Sequence, residues 1–273
     1  MIKRAVQIRV PATVGNFGGV NAATVALDGS LNVKVTPRTD GHVHIRYFGE
    51  NGERVPRDAS NLVVRALESA LASNGLEFSG ADLEIYSAVP VGVGLGSSAA
   101  SVLAGLIAAD RLHHLNLDEK QLFELAAAHE SRLENVRAAW LGGLVSTANG
   151  GTTRSVPEDF VMDVIIPHFK ALDTPFASTR DKDVPGLAEA LSTCVPGVSI
   201  FLCGSGPAVG IVDRELRPEA VKAVQDCFAR RGIESRSIAF NSSGSGARDW
   251  NAPHREVTLP SEDAVRKPSL IPV

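Results

Sequence analysis

The stretch with the clearest chemical signal is glycine-rich and spans residues 90–98, with the letters PVGVGLGSS. It follows a β-prone run and precedes a run of small residues, so we expect a strand, a loop and then a helix. Glycine permits tight turns and leaves no Cβ between the backbone and a ligand. The free N–H groups and positive dipole end of the helix favour an anion such as phosphate. The same letters also fit a turn that only caps a helix.

Two familiar nucleotide-binding patterns are excluded. The third glycine, Gly96, follows the second by two residues, whereas the dinucleotide-binding fingerprint requires three. A Walker loop requires a Gly-Lys pair, and the sequence contains none. The hydroxyls of Ser97 and Ser98 are suited to cap the helix, contact phosphate oxygens or ligate Mg²⁺.

Four segments resemble motifs of the GHMP kinases, a family that includes galactokinase, mevalonate kinase and homoserine kinase. Residues 90–100, PVGVGLGSSAA, resemble the phosphate-binding motif, and residues 10–18, VPATVGNFG, are similar to the first motif of homoserine kinases, PATSANLGPGFD. Residues 130–143, ESRLENVRAAWLGG, resemble the homoserine kinase string EGHPDNVAPALLGG, and residues 203–208, CGSGPA, resemble the third motif, SGSGPT. Because the four occur in the family's order, the chain is identified as a GHMP kinase most similar to homoserine kinases.

The resemblance implies that the chain binds ATP and Mg²⁺. Ser98 and Glu130 would hold the ion, which prefers oxygen ligands and bridges phosphates. Without the family context, Glu130 reads as a solvated carboxylate near a helix end. The implied nucleotide-binding residues are Pro90, Gly92, Gly94, Leu95, Gly96, Ser97 and Ser98.

The resemblance also implies an acceptor site, in which Asn16 and Glu130 would be the catalytic residues. Without it, the asparagines fit turns or caps, residues 204–206 fit a plain turn, and Arg180 fits a solvated loop. The implied acceptor-binding residues are Asn16, Asn21, Asn135, Arg180, Gly204, Ser205 and Gly206.

The acceptor side departs from the family pattern. Asn21 stands where homoserine kinases carry an acid that contacts the substrate's amino group, and an amide brings no charge. Residues 132–134 replace His-Pro-Asp. Only about 30 residues separate Phe169 from Ser199, where family members carry several helices and substrate-binding arginines. The C-terminal domain is thus shortened.

The implied function is ATP-dependent phosphotransfer to the hydroxyl of a small amino-acid-like acceptor, related to homoserine or threonine. The alternative is a GHMP-fold protein without kinase activity. Such a protein would act on an already phosphorylated small molecule or serve as a ligand-binding regulator. Its motivation is the same set of departures on the acceptor side.

The fold implied by the resemblance is α+β with two domains. The N-terminal domain, residues 1–150, would resemble domain 2 of ribosomal protein S5, and residues 151–241 would be ferredoxin-like. A tail over residues 242–273 is rich in Gly, Ser, Pro and charge, which predicts irregular structure. Homoserine kinases are commonly dimers, so a homodimer is expected.

Local patterns predict the elements that position these residues. Residues 32–36 and 42–48 alternate polar with apolar, and the intervening Arg38–Gly41 predicts a hairpin. Asp58 and Ser60 are typical helix-start residues, and the apolar residues that follow at helical spacing from Leu62 predict a helix that ends at Asn74-Gly75. Further helices are predicted up to about His113 and at residues 135–141, 184–191 and 218–230, and strands at 144–147, 162–166, 198–203, 209–212 and 233–240.

Composition excludes several functional classes. With 273 residues, 44% of them hydrophobic, the chain can bury a sizeable core. A net charge of −4 and an aromatic content of 5% argue against a nucleic-acid partner. No apolar run approaches the roughly 20 residues of a membrane span, and no signal-peptide pattern is present, so a cytoplasmic protein is expected. The three cysteines form no C-x-x-C pair and are expected to be reduced and buried.

Overall fold

The structure is a computed structural model that describes residues 5–147, 152–155, 160–168 and 184–247. Arg180 and most of the predicted tail lie outside these ranges. The strands are β1 (Val6–Gly15), β2 (Ala23–Pro37), β3 (Val43–Gly49), β4 (Ala81–Ser87), β5 (Leu144–Ser146), β6 (Thr153–Ser155), β7 (Val161–Pro167), β8 (Ser199–Leu202), β9 (Val209–Asp213) and β10 (Ser235–Asn241). The helices are α1 (Leu62–Ser73), α2 (Ser97–His113), α3 (Glu119–Ala127), α4 (Leu133–Leu141), α5 (Leu187–Leu191) and α6 (Pro218–Ala229).

The first sheet has the order β3-β4-β2-β5-β6, and β1 pairs with β2 beside this path. Helix α1 begins where the Asn61 side chain accepts a hydrogen bond from the Val63 N–H. Helix α2 is buried along most of its length, because its small and apolar residues pack against α1 and β1. The first residue of α2 therefore has a fixed position at the end of the loop that follows β4.

The predicted hairpin between β2 and β3 is wrong. Strand β4 lies between them, antiparallel to β2 with Val33 opposite Ile85, and parallel to β3 with Ile45 opposite Leu83. Parallel neighbours require a long crossover, which α1 supplies between β3 and β4. Alternation predicts that a segment is a strand, but it does not identify the strand's neighbour.

The second sheet is antiparallel, with the order β10-β7-β9-β8. Along the chain its elements run β7-α5-β8-β9-α6-β10, which is the expected ferredoxin-like arrangement. One face packs against α5 and α6 through Ile165, Leu187 and Phe228. The other face packs through Met162 against Leu27 of β2, so one apolar core joins the two sheets. The domain boundary near residue 150 stays a prediction, and the pairing of the first sheet continues beyond it into β6.

The first residues of the predicted tail are packed against the first sheet. We call residues 242–247 the return segment. The Ser243 N–H donates to the Ala26 carbonyl at 2.8 Å, and the Gly143 N–H donates to the Ser243 carbonyl at 2.7 Å. Gly246 and Ala247 are buried. The return segment, which the sequence places in an irregular tail, is thus packed against the folded body.

Two expectations from composition can be compared with the structure. Cys203 and Cys227 are buried, but Cys194 is exposed, so the expectation of burial is wrong for that residue. Cys194 follows the short helix α5 in a surface connection. Within the described ranges, every helix is too short or too polar to cross a membrane.

Candidate functional site

The glycine loop connects β4 to α2, as the sequence predicts. Gly92, Gly94 and Gly96 have φ values of 78°, 92° and 70°, in the left-handed region that favours glycine. Gly96 is the N-cap of α2, and no side chain caps the helix. The first N–H groups of α2 therefore donate no hydrogen bond to a capping side chain. Ser97 and Ser98 are half-buried in that first turn. The loop therefore presents backbone donors and two hydroxyls at the positive end of a 17-residue helix.

The loop is packed tightly between two other motifs. A Cβ at Gly94 would lie 1.9 Å from the Cys203 carbonyl oxygen, and one at Gly96 would lie 2.1 Å from Thr13 Oγ1. The Leu95 carbonyl accepts a hydrogen bond from the Thr13 N–H at 3.2 Å. These glycines are therefore required by the packing of the chain itself, and not only by an approaching ligand.

The third motif forms a loop over the first. The Asn16 side chain donates from Nδ2 to the Gly204 carbonyl at 3.0 Å, and the Gly204 N–H donates to the Gly15 carbonyl at 3.1 Å. The Gly206 N–H closes the turn on the Cys203 carbonyl at 2.7 Å, which leaves Ser205 exposed at the tip. Burial raises the pKa of the Cys203 thiol far above its ordinary value, so this thiol stays protonated and serves packing.

Asn135 lies under the same junction, near the start of α4. Its side chain is buried, and its Oδ1 is shielded from solvent with no hydrogen-bond partner among the described residues. Thr24 in β2 carries a second such atom, its Oγ1, which is also shielded and unpartnered within the described part of the chain. Thr13 Oγ1 is a third such atom. The sequence interpretation missed both threonines, although Thr24 is a polar residue in an apolar run, ATVAL.

Glu130 lies in the turn between α3 and α4. It is half-buried, and its Oε1 accepts a hydrogen bond from the Arg132 N–H at 2.9 Å. A serine hydroxyl and a carboxylate are the oxygen ligands that Mg²⁺ prefers, so Ser98 and Glu130 fit the ion chemically. No cluster of three or more His, Cys, Asp or Glu suited to a metal occurs in the ranges that the structure describes.

Not all predicted site residues are brought together. Asn21 is exposed in the turn before β2, and no described contact joins it to the loops above. Arg180 lies outside the described residues. Among the residues that replace His-Pro-Asp, Arg132 and Glu134 approach each other at 3.9 Å on the surface of α4. The structure thus brings together the glycine loop, Asn16, Asn135 and the loop of residues 204–206.

Comparison with known proteins gives the context for this arrangement. Residues 61–143 match the family described as GHMP kinases N terminal domain. The homoserine kinase of Streptomyces avermitilis is 36% identical over 63% of this chain and 59% of its own length. The homoserine kinase of Moorella thermoacetica is 26% identical over 83% of this chain and 94% of its own length. The chain therefore spans little more than half the length of the two Streptomyces relatives at 36% identity.

Solved structures with the same fold include two kinases. A crystal structure of homoserine kinase from Cytophaga hutchinsonii superposes with a TM-score of 0.68 at 23% identity and covers 90% of this chain and 97% of that one. The Lactococcus lactis galactokinase complexed with galactose superposes with a TM-score of 0.66 at 15% identity, over 89% of this chain and 95% of that one. Both likenesses, together with the sheet orders above, confirm the predicted α+β fold. Residues 61–143 thus match the N-terminal domain of the GHMP kinases, and the chain has the fold of these kinase structures.

Proposed function

We propose that this chain is an ATP-dependent phosphotransferase that acts on the hydroxyl of a small amino-acid-like acceptor, related to homoserine or threonine. The observation that carries the proposal is the glycine loop. It ends at the uncapped N-terminus of α2 and packs between β1 and the loop that Gly204 belongs to. The family match over residues 61–143 and the similarity to homoserine kinases support it.

The nucleotide phosphates would bind at the start of α2. Backbone N–H groups of the first turn donate to phosphate oxygens, and the helix dipole stabilises their negative charge. The hydroxyls of Ser97 and Ser98 add donors at the same place. Pro90, Gly92, Gly94, Leu95 and Gly96 would shape the loop so that the backbone approaches the phosphates closely.

Ser98 and Glu130 would hold Mg²⁺, which neutralises charge on the transferred phosphoryl group when it is bound. Arg132 fixes the Glu130 carboxylate through its backbone N–H, so one oxygen is oriented by the chain itself. The carboxylate thus has a preferred direction before any ligand arrives.

The acceptor would lie between Asn16, Asn135 and the loop of residues 204–206. The side chains that meet here are amides and hydroxyls, which hydrogen-bond a substrate but are poor bases at neutral pH. Their role would be to hold the acceptor hydroxyl in line with the phosphate, so that the rate comes from positioning and electrostatics.

The direct test is ADP formation with MgATP and a panel of hydroxy amino acids. L-Homoserine, L-threonine and L-serine form the panel, and a reaction without acceptor measures background hydrolysis. We expect at least one acceptor to raise ADP formation well above background, with one phosphorylated product per ADP. If none does while ATP itself binds, the assignment of the acceptor is wrong.

The metal assignment is tested by Glu130→Gln against Glu134→Gln. Glu134 is four residues along on α4, where it pairs with Arg132 near the surface, so its loss serves as the matched control. Loss of a carboxylate ligand typically costs tenfold or more in metal affinity, and we expect a comparable loss of Mg²⁺-dependent activity in Glu130→Gln alone. Equal Mg²⁺ dependence in both variants would contradict the role of Glu130.

The alternative is a GHMP-fold protein without kinase activity, acting on a phosphorylated molecule or regulating through ligand binding. It is favoured by the exposed, uncharged Asn21 and by the partial coverage of the homoserine kinases at 36% identity. Calorimetry with an inert ATP analogue and Mg²⁺ separates the two. A kinase binds the analogue. If the analogue does not bind, the kinase proposal is wrong and the protein without kinase activity is the remaining explanation. Cytoplasmic location and a homodimer stay predictions from the sequence.

A further inference from the structure

Two buried polar atoms face the same point above Gly15. If Gly15 carried a methyl group, the three atoms nearest to it would be Asn135 Oδ1 at 3.5 Å, Thr24 Oγ1 at 3.7 Å and the Gly204 Cα at 3.8 Å. Strand pairing explains the geometry, because Gly15 of β1 is directly opposite Thr24 of β2. Cross-strand partners project to the same face, so the missing side chain leaves the threonine facing the amide of α4.

Burial makes the absence of partners costly. Thr24 has no exposed surface and Asn135 is 6% exposed, and both oxygens are shielded from solvent. Neither oxygen has a hydrogen-bond partner anywhere in the described ranges. A buried polar group without a partner is destabilising relative to one that is paired, so such groups in folded proteins call for an explanation.

The chemistry of the two atoms restricts what pairs with them. The amide oxygen only accepts hydrogen bonds, whereas the threonine hydroxyl needs an acceptor for its own proton. A hydroxyl group donates to the first and accepts from the second, and thereby satisfies both. An ammonium group donates to Asn135 but has no lone pair for the proton of Thr24.

We propose that Thr24 is a specificity-determining residue, whose hydroxyl and the Asn135 amide oxygen together bind one hydroxyl group of the acceptor over Gly15. The assignment rests on the proposed function and adds to it. The acceptor is selected as an alcohol, and its amine counterpart is rejected. Gly204 covers the third side, so the loop held by Asn16 closes over the bound group.

The test compares Thr24→Val with Thr24→Ser and with Thr36→Val. Valine keeps the shape and removes the hydroxyl, and serine keeps the hydroxyl. Thr36 is on the same strand, half-buried and remote from the site, so it is the matched control. L-Homoserine is the alcohol probe, and L-2,4-diaminobutyrate is the corresponding amine.

Stability of the free protein is the first measurement, because it does not depend on activity. Removing a buried hydroxyl that has no partner is neutral or stabilising, so we expect the Tm of Thr24→Val to be unchanged or up by about 2–4 °C. A clear fall in Tm would show that this hydroxyl already has a partner in the free protein, and would overturn the inference.

Acceptor recognition is the second measurement. We expect Thr24→Val to raise the KM for L-homoserine about tenfold, which corresponds to the loss of one hydrogen bond. The KM for ATP should stay within about twofold of its value in the unsubstituted protein. Thr24→Ser and Thr36→Val should have the same KM for L-homoserine as the unsubstituted protein. The unsubstituted protein should bind L-homoserine at least about tenfold more tightly than L-2,4-diaminobutyrate. An unchanged KM in Thr24→Val, or equal binding of the amine, would overturn the inference.

Calorimetric titration of both probes, with MgADP present, separates failure of this inference from failure of the proposed function. If L-homoserine binds without turnover, it is not the phosphorylated acceptor, and its Kd for Thr24→Val still decides the role of Thr24. If neither probe binds, the alcohol site itself is refuted, whatever other acceptor the protein phosphorylates.

Discussion

At the scale of single residues, Asp163 shows how burial sets a charge. It lies in β7 with 8% of its surface exposed, between Ala239 of β10 and Ile211 of β9. By strand alternation it projects to the same face as Ile165, which packs in the apolar core of α5 and α6. Burial raises the pKa of this carboxyl group above its ordinary value of 3.8.

The direction of that shift predicts the pH dependence of stability. Between the ordinary and the raised pKa, the folded protein holds the proton that the unfolded chain has lost. The contribution of Asp163 is therefore fully present below pH 3.8 and is lost as pH rises through the folded-state pKa. Urea unfolding at several pH values should show Asp163→Asn to be more stable than the unsubstituted protein at pH 7, with the difference shrinking towards pH 3. A difference that grows as pH falls would contradict this account.

Only some residues of the candidate site are predictable one at a time. Gly94 and Gly96 stand out in the sequence because a dense run of glycines predicts positive φ angles, which the structure has. Thr24 does not stand out, since its unpartnered hydroxyl depends on Gly15 across the strand and Asn135 from another element. A sequence shows residue types, whereas the pairing of a buried hydroxyl depends on contacts distant along the chain.

At the scale of elements, Gly105 sets the distance between two helices. It lies in the middle of α2, where a Cβ would be 2.3 Å from the Val63 carbonyl oxygen and 2.8 Å from the Ala66 Cβ. Both partners belong to α1, and one of them is a backbone atom that cannot turn aside. The close approach of the helices positions the first turn of α2, and therefore the glycine loop.

Gly105→Ala has two opposing effects on stability. Alanine favours a helix interior over glycine by about 1 kcal/mol, whereas overpacking typically costs about 1–3 kcal/mol. A contact of 2.3 Å is far below normal separation, so we expect the second effect to prevail, with a net loss in urea unfolding. Ser101→Ala, one turn earlier in the same helix, is the control and should change stability by less than about 0.5 kcal/mol. A gain of stability in Gly105→Ala would show that the helices are less closely packed.

Elements were predictable where the signal is local. Asn74-Gly75 correctly predicts the end of α1, and apolar spacing finds α6 within a residue. The neighbours of β3 were not predictable, because a polar turn such as Arg38–Gly41 serves a hairpin and a longer crossover equally well. Pairing is decided by which strand buries the most apolar surface, and that is a property of the whole sheet.

At the scale of the whole molecule, apolar, hydrogen-bonding and ionic contacts join the second sheet to the first. Met162 and Leu27 share one apolar core, and Asp28 accepts hydrogen bonds from Asn241 at 3.0 and 3.1 Å. Arg236 of β10 pairs with Glu50 after β3. The return segment adds backbone hydrogen bonds beside α4, whose other end carries Asn135. The candidate site lies between the parts that these contacts hold.

Such long-range packing was the least predictable level. The composition of the predicted tail, from Ser242 onward, favours irregular structure and carries no apolar periodicity. The end of the return segment is nevertheless buried, since Gly246 has no side chain and fits directly against the backbone at Trp140 and Gly142. Resemblance to a family predicted the fold, whereas these contacts depend on the particular residues that meet.

The return segment gives a prediction for the intact molecule. A Cβ at Gly246 would lie 2.2 Å from the Trp140 carbonyl oxygen and 2.7 Å from the Gly142 nitrogen, so Gly246→Ala must displace backbone. We expect it to lose about 1–3 kcal/mol of stability and to speed amide exchange at Gly143 and Ser243, while the amides of β9 stay protected. Gly232→Ala is the control. Gly232 has a φ of 72° and open space around it, so alanine there causes backbone strain but no steric clash. If exchange at Gly143 and Ser243 were equally slow in both variants, the return segment would not be holding the end of α4.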